Sequence, residues 1–204
     1  VAFSPDELLE AVAEAGRHGV PVAAHAHATS GINQAISAGV RSIEHGTYLD
    51  EESIQLMVQH GTFYVPTIYV GDHYAGTDQL LAQEKNDDIY LNYRDEWLRR
   101  IGLAYRAGVK IVVGADLGGF NIPPNAYARE IKVLTEAGLS PMAAIKAATS
   151  VAAEMLQWED KIGTLQAGRY ADIVGVAGNP LGDLSLLEFP VFVMKGGKVI
   201  DLDK

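Results

Sequence analysis

Cysteine is absent from this 204-residue chain. Disulfides, thiolate metal sites and cysteine nucleophiles are therefore excluded, while the redox compartment stays open. No run of about 18 apolar residues occurs, so nothing in the sequence is patterned to span a membrane. Positive charge is scarce: 16 Lys and Arg stand against 26 Asp and Glu, for a net charge of −10. The basic residues are scattered apart from Arg99-Arg100, which disfavours nucleic acid as a partner, and the acidity reads as solubility. No basic segment precedes an apolar stretch near Val1, so no signal peptide is visible and a cytoplasmic location is the default for an otherwise unknown compartment. Walker and dinucleotide-binding fingerprints are missing as well.

What is present is a repeat. Hydrophobic residues make up 48% of the chain, ordinary for a globular protein with a substantial core. Four successive units each read as an amphipathic helix, a glycine and a short apolar strand: Glu10 to His27, Ile32 to Gly46, Ile54 to Tyr69 and Leu98 to Asp116. Six residues after the helix-ending glycine come His25 (from Gly19), His45 (from Gly39) and Thr67 (from Gly61); eight after Gly108 comes Asp116. Helix and strand alternating in this way predict a parallel α/β sheet, whose strands end where chemistry is placed. Two imidazoles and a carboxylate at such ends suit zinc or another divalent metal, as one ion or two.

The element boundaries follow from local signals. Ser4-Pro5-Asp6-Glu7 predicts a capping box and helix start. Strands are predicted at 20–24, 40–44, 62–68 and 110–114. Their unalternating apolar runs suit strands covered on both faces. Helices are expected at 30–38, 50–60 with Asp50 as cap, 87–107, 125–137 and 140–156. The polar stretch Gly71 to Asn86 reads as a long loop overhanging the site, a candidate lid or a plain insertion. After Trp158 the pattern changes to short β-rich runs, with Gly196-Gly197 as a two-residue hairpin turn. The expected domains are residues 1–157, built of α/β units, and 158–204, a small β appendix. Four units cannot close a (β/α)8 barrel, which takes roughly 250 residues. The chain therefore reads as the later part of a longer polypeptide, with a homo-oligomer or an open sheet as the alternatives.

These motifs resemble the metal-dependent amidohydrolase superfamily, in particular the branch of imidazolonepropionase-related amidohydrolases and Xaa-Pro dipeptidases. The resemblance runs through residues 22–50, which contain His25-Ala26-His27 and Ile43-Glu44-His45-Gly46, then 62–69 and 112–119. It continues in the Ala147-Ala148-Thr149 helix and in Gly163-Thr164-Leu165 and Ala171-Asp172-Ile173-Val174. It implies the C-terminal half of a (β/α)8 TIM-type barrel followed by a small β-sandwich segment. It further implies that His25 and His45 are metal ligands after the fifth and sixth strands, and that Asp116, after the eighth, binds metal and shuttles a proton. His27 falls at a position that contacts substrate. The family's earlier His-x-His and bridging lysine have no counterpart here.

The expected reaction is hydrolysis of an amide bond in a dipeptide, an N-acyl amino acid or a cyclic amide. Metal lowers the pKa of bound water to about 7, and a carboxylate such as Asp116 moves the proton. Tyr69, just past the third strand, and His73, in the polar stretch, are further candidates for substrate contact. An esterase or lactonase would use the same groups. A truncated, catalytically silent half-barrel acting as an oligomeric or binding module is the non-enzymatic alternative. His18 and His60, beside helix-ending glycines, read as structural.

Overall fold

The computed structural model describes residues 2–77, 87–118 and 122–202. Helix α1 (Pro5–Arg17) opens with the expected capping box: the Ser4 backbone N–H donates to Glu7 Oε2 at 2.7 Å, and the Glu7 N–H donates back to the Ser4 hydroxyl. Strand β1 (Ala23–Ala26), helix α2 (Thr29–Ala38), strand β2 (Ser42–His45), helix α3 (Glu51–His60) and strand β3 (Phe63–Val65) follow in alternation. Asp50 caps α3 by accepting from the Ser53 N–H at 2.8 Å. The three strands form one parallel sheet in the order β1-β2-β3, with Ala26 opposite His45 and Glu44 opposite Val65.

Two expectations are corrected here. The fourth strand shrinks to an isolated parallel bridge between Tyr64 and Ile111. The segment does lie beside β3, because the Tyr64 N–H donates to Lys110 O and the Val112 N–H to Tyr64 O. The Val113 N–H faces away from β3, as alternate strand residues do, and donates to the Ala147 carbonyl at 3.2 Å. The next rung would need an N–H from Pro66, which has none, and the ladder ends. The stretch expected to be a loop from Gly71 begins as helix: α4 spans Ile68–Thr77. Its first turn is anchored from far along the chain by the Glu130 carboxylate, which accepts from the Ile68 and Tyr69 N–H groups at 3.1 and 2.7 Å. Residues 78–86, the remainder of the candidate lid, lie outside the described residues.

Helix α5 (Asp87–Ala107) matches its expected limits, and α6 (Ala126–Glu136) falls within one residue of its expected ends. The helix expected over 140–156 is two helices, α7 (Pro141–Ala147) and α8 (Ser150–Met155), broken at Thr149, whose backbone leaves the helical region (φ −130°, ψ −92°). The break turns α8 onto a different surface. One core packs α2, α3, α5, α6 and α7 on one face of the sheet through Ile32, Ile36, Ile43, Tyr64, Ile101 and Leu134. A second, smaller core joins Phe63, Val65 and Val112 to Val151, Ala152 and Met155 of α8 on the other face. Strand β3 is therefore buried on both sides.

The last part carries strands β4 (Ile173–Gly175), β5 (Phe192–Lys195) and β6 (Lys198–Val199) in an antiparallel sheet. Gly196 and Gly197 both adopt positive φ (55° and 79°), as a type I′ hairpin turn demands. A short 3-10 turn at Leu184–Glu188 packs on α6 and buries Leu184 in the main core. Among the described residues no helix is long and apolar enough to cross a membrane.

Candidate metal centre

The parallel register brings the end of β1 beside the end of β2, and three imidazoles meet there. His25 lies on β1, and His27 follows on the same side after one intervening residue. His45 closes β2 in a left-handed backbone conformation (φ 68°) that re-aims its side chain. Ring centroids are 4.7 Å apart for His25–His27, 4.4 Å for His25–His45 and 4.8 Å for His27–His45. One nitrogen from each ring lies within 4.8 Å of the others, a spacing able to hold a metal ion. His25 and His27 are exposed, whereas His45 is buried.

Two of the rings are steered by threonines. His27 Nδ1 is 2.8 Å from Thr47 Oγ1, and His45 Nδ1 is 2.7 Å from Thr67 Oγ1. The Thr67 hydroxyl also donates to the Pro66 carbonyl at 2.7 Å. A hydroxyl has one proton, so Thr67 must accept from His45, which assigns the His45 proton to Nδ1 and leaves the Nε2 lone pair bare. Such outer hydrogen bonds are how metal-binding histidines have their tautomer fixed. The rings also resist protonation. Burial first, then the neighbouring His25 and His27, lower the His45 pKa from 6.5 to about 4, against an opposing pull from the Asp116 carboxylate. Burial and His25 likewise lower that of His27. Neutral imidazole is the form that donates to a metal.

Asp116 is exposed and stands outside the group of three, yet its charge acts on both His45 and Glu44. Its segment approaches β3 closely because residue 114 is glycine; a Cβ there would lie 2.4 Å from Val65 Cγ1. His45, Thr67 and Asp116 (φ 68°, 51° and 44°) are three of the four non-glycine residues with positive φ among the described residues, and each lies at or within two residues of the end of its repeat unit. Such conformations cost on the order of 1–3 kcal/mol each and gather at functional sites. Thr67, being β-branched, is the most strained of the three.

The remaining expected contacts lie on α4. Tyr69 is buried, and its hydroxyl accepts from Arg129 Nη1 at 2.7 Å. Its ring lies 6.2 Å from that of His73, one turn on. Thr47 and Glu44 carried no sequence expectation. Glu44 receives the Ser42 hydroxyl at 2.6 Å, and burial raises its pKa. Thr67 was marked only by its repeat phase, which matches that of His45. Glu130, fully buried and pushed up to about 8 by that burial, gave no local signal at all.

A family model described as the amidohydrolase family matches residues 1–200. The chain is 36% identical to ochratoxinase of Aspergillus niger over 203 residues, covering 97% of this chain and 41% of that protein. It is 29% identical to imidazolonepropionase of Mesorhizobium japonicum over 177 residues, covering 85% of this chain and 39% of that one. It superposes with a TM-score of 0.86 and 35% identity on a Xaa-Pro dipeptidase crystallised with methionine in its active site, covering 98% of this chain and 49% of that one. The chain thus spans about half the length, or less, of the relatives it matches.

Proposed function

The chain belongs to the amidohydrolase family, and from that premise we propose that it forms the later half of a metal-dependent hydrolase of amide bonds. His25, His27 and His45 hold a divalent ion, zinc being the best match to three imidazole donors. The observation that carries this reading is the meeting of three imidazole nitrogens within 4.8 Å, in an environment that disfavours the protonated forms of His27 and His45. When bound, the ion supplies a water acidified to a pKa of about 7. Asp116 takes a proton at its carboxylate and returns it to the departing nitrogen. His45 presents Nε2 while Thr67 holds its Nδ1. The half of the site nearest β1 stays open: a largely apolar groove of about 570 Å³, lined by Phe3, Leu8, Val12, Ala24, His25 and His27, runs along that strand. The preceding half of a longer polypeptide covers it and completes the pocket.

Substrates are dipeptides, N-acyl amino acids or cyclic amides, with Tyr69 and His73 as the side chains nearest in kind to a contact role, His27 being taken up as a ligand. Ochratoxinase and a Xaa-Pro dipeptidase among the relatives favour amides over esters. The test is metal content together with peptidase and N-acyl amino acid hydrolase activity of the full-length protein. The expected outcome is stoichiometric metal and hydrolysis, both lost in His45→Ala. Retention of both by that variant would refute the assignment.

A further inference from the structure

Beyond the ligands themselves, a buried chain of hydrogen bonds runs to the backbone of His45. Tyr64, in the middle of β3, is fully buried, and its hydroxyl donates to the carbonyls of His45 at 3.0 Å and Gly46 at 3.3 Å. These two residues are consecutive and both left-handed (φ 68° and 56°). The same hydroxyl accepts from Trp97 Nε1 on α5 at 2.9 Å. Its one proton is therefore committed to the turn. Packing reinforces the bond, since a Cβ at position 46 would lie 2.5 Å from Tyr64 Cε2. Two more residues on that face of α5 reach the same loop. The Tyr93 hydroxyl donates to Thr47 O at 3.0 Å, and Arg100 donates to Leu49 O. Residues 93, 97 and 100 share one helix face by their spacing. The loop they grip carries His45 and also Thr47, which orients His27.

We propose that Tyr64, steered by Trp97, is a positioning residue that fixes the left-handed His45–Gly46 turn and so aims the His45 imidazole into the site. A left-handed histidine is a minor conformer for a free chain. The two carbonyls of the turn point to a hydroxyl that water cannot replace, because the site of the bond is sealed. Loss of that hydroxyl leaves both carbonyls buried without this donor. The importance of the turn for metal binding rests on His45 being a ligand, whereas its conformation does not. The experiment reads the two separately.

In the full-length protein, Tyr64→Phe and Trp97→Phe are compared with Thr62→Val. The control also removes a buried hydroxyl bonded to a carbonyl, that of Val40, but in a place remote from the turn. In metal-free protein, Tyr64→Phe speeds amide hydrogen exchange at Gly46 by about fivefold over the control, the loss of one buried hydrogen bond. Trp97→Phe does so by less. Zinc affinity, read by competition with a chromogenic chelator, falls about tenfold in Tyr64→Phe and stays at the wild-type value in Thr62→Val. Exchange at Gly46 no faster in Tyr64→Phe than in Thr62→Val overturns the proposal. So does faster exchange accompanied by unchanged zinc affinity, which would leave Tyr64 a purely structural group. If the wild type takes no zinc, the ligand assignment fails, and the exchange measurement alone decides whether Tyr64 fixes the turn.

Discussion

The two ends of the parallel sheet are built on opposite terms. At the C-terminal end stand three clustered histidines and three non-glycine residues in left-handed conformation, open on the β1 side. At the N-terminal end, Phe63 is sealed under α8 and lies beneath two cations, with Arg41 Cζ 4.6 Å and Lys110 Nζ 5.4 Å from its ring centroid. Arg41 also donates to the Glu154 and Met155 carbonyls at 2.7 and 3.2 Å, which places a cation on the C-terminal end of α8 where the helix dipole favours it. Lys110 pairs with Glu154. One end accumulates backbone strain and clustered imidazoles, of which only that of His45 is buried, and the other accumulates packing and satisfied carbonyls. The difference separates within one sheet the residues that pack from the residues held in strained, ligand-like positions.

The sharpest way to break this contrast is Phe63→Ala. It should destabilise the full-length protein by about 3–5 kcal/mol in urea unfolding while the folded fraction keeps its metal. Equal loss of metal affinity would mean that the two ends are not separable. Acid exposes the opposite end. With the His45 pKa lowered from 6.5 to about 4, the unfolded chain binds more protons than the folded one between those values. His45 therefore contributes stability that is complete above pH 6.5 and is lost as pH falls toward 4. Glu130, raised from 4.5 to about 8, works the other way: its contribution is complete below pH 4.5 and is lost as pH rises toward 8. The two slopes oppose one another between pH 4.5 and 6.5, so the comparison needs His45→Asn, whose metal-free stability should fall less steeply with acid than that of the wild type over pH 6.5 to 4. An unchanged slope would remove His45 as the acid-sensitive group.

A smaller effect is expected from Arg41→Met, which keeps bulk over Phe63 but removes the donors to α8, at about 1–2 kcal/mol by thermal unfolding and no change in metal content. The smallest has the opposite sign. Asp116→Gly relieves a left-handed backbone and should raise metal-free stability by about 0.5–1 kcal/mol while abolishing hydrolysis. A destabilised variant would show that Asp116 is not strained at this position.

The sequence revealed the sheet because its strands are apolar runs between helix-ending glycines, and it located the histidines because the repeat has a fixed phase. His25, His45 and Asp116 could be read in this way. The participation of His27 in the cluster is visible as strand alternation, although the residue was expected to touch substrate. What escaped was held by distant groups. Gly71 and Gly76 signal a turn, yet a carboxylate some sixty positions later, Glu130, fastens the helix that runs through them. The fourth strand stays short because its next rung falls on Pro66, which has no N–H to give to the Val112 carbonyl; the proline is visible in the sequence, but the register that opposes it to Val112 is not. The left-handed turns were hidden for the same reason: Thr67, being β-branched, is a poor residue for such a backbone, and the donor that steadies His45–Gly46 comes from another strand.

The single proton of Thr67 has one further consequence. Because it is spent on Pro66, the imidazole beside it can neither exchange its tautomer nor swing away without breaking a bond at each step. The lone pair of Nε2 is thus aimed before any electrophile arrives. Under the proposed metal role, an incoming cation would meet a donor that needs no rearrangement, the entropy of ordering that ring having been surrendered when the chain folds.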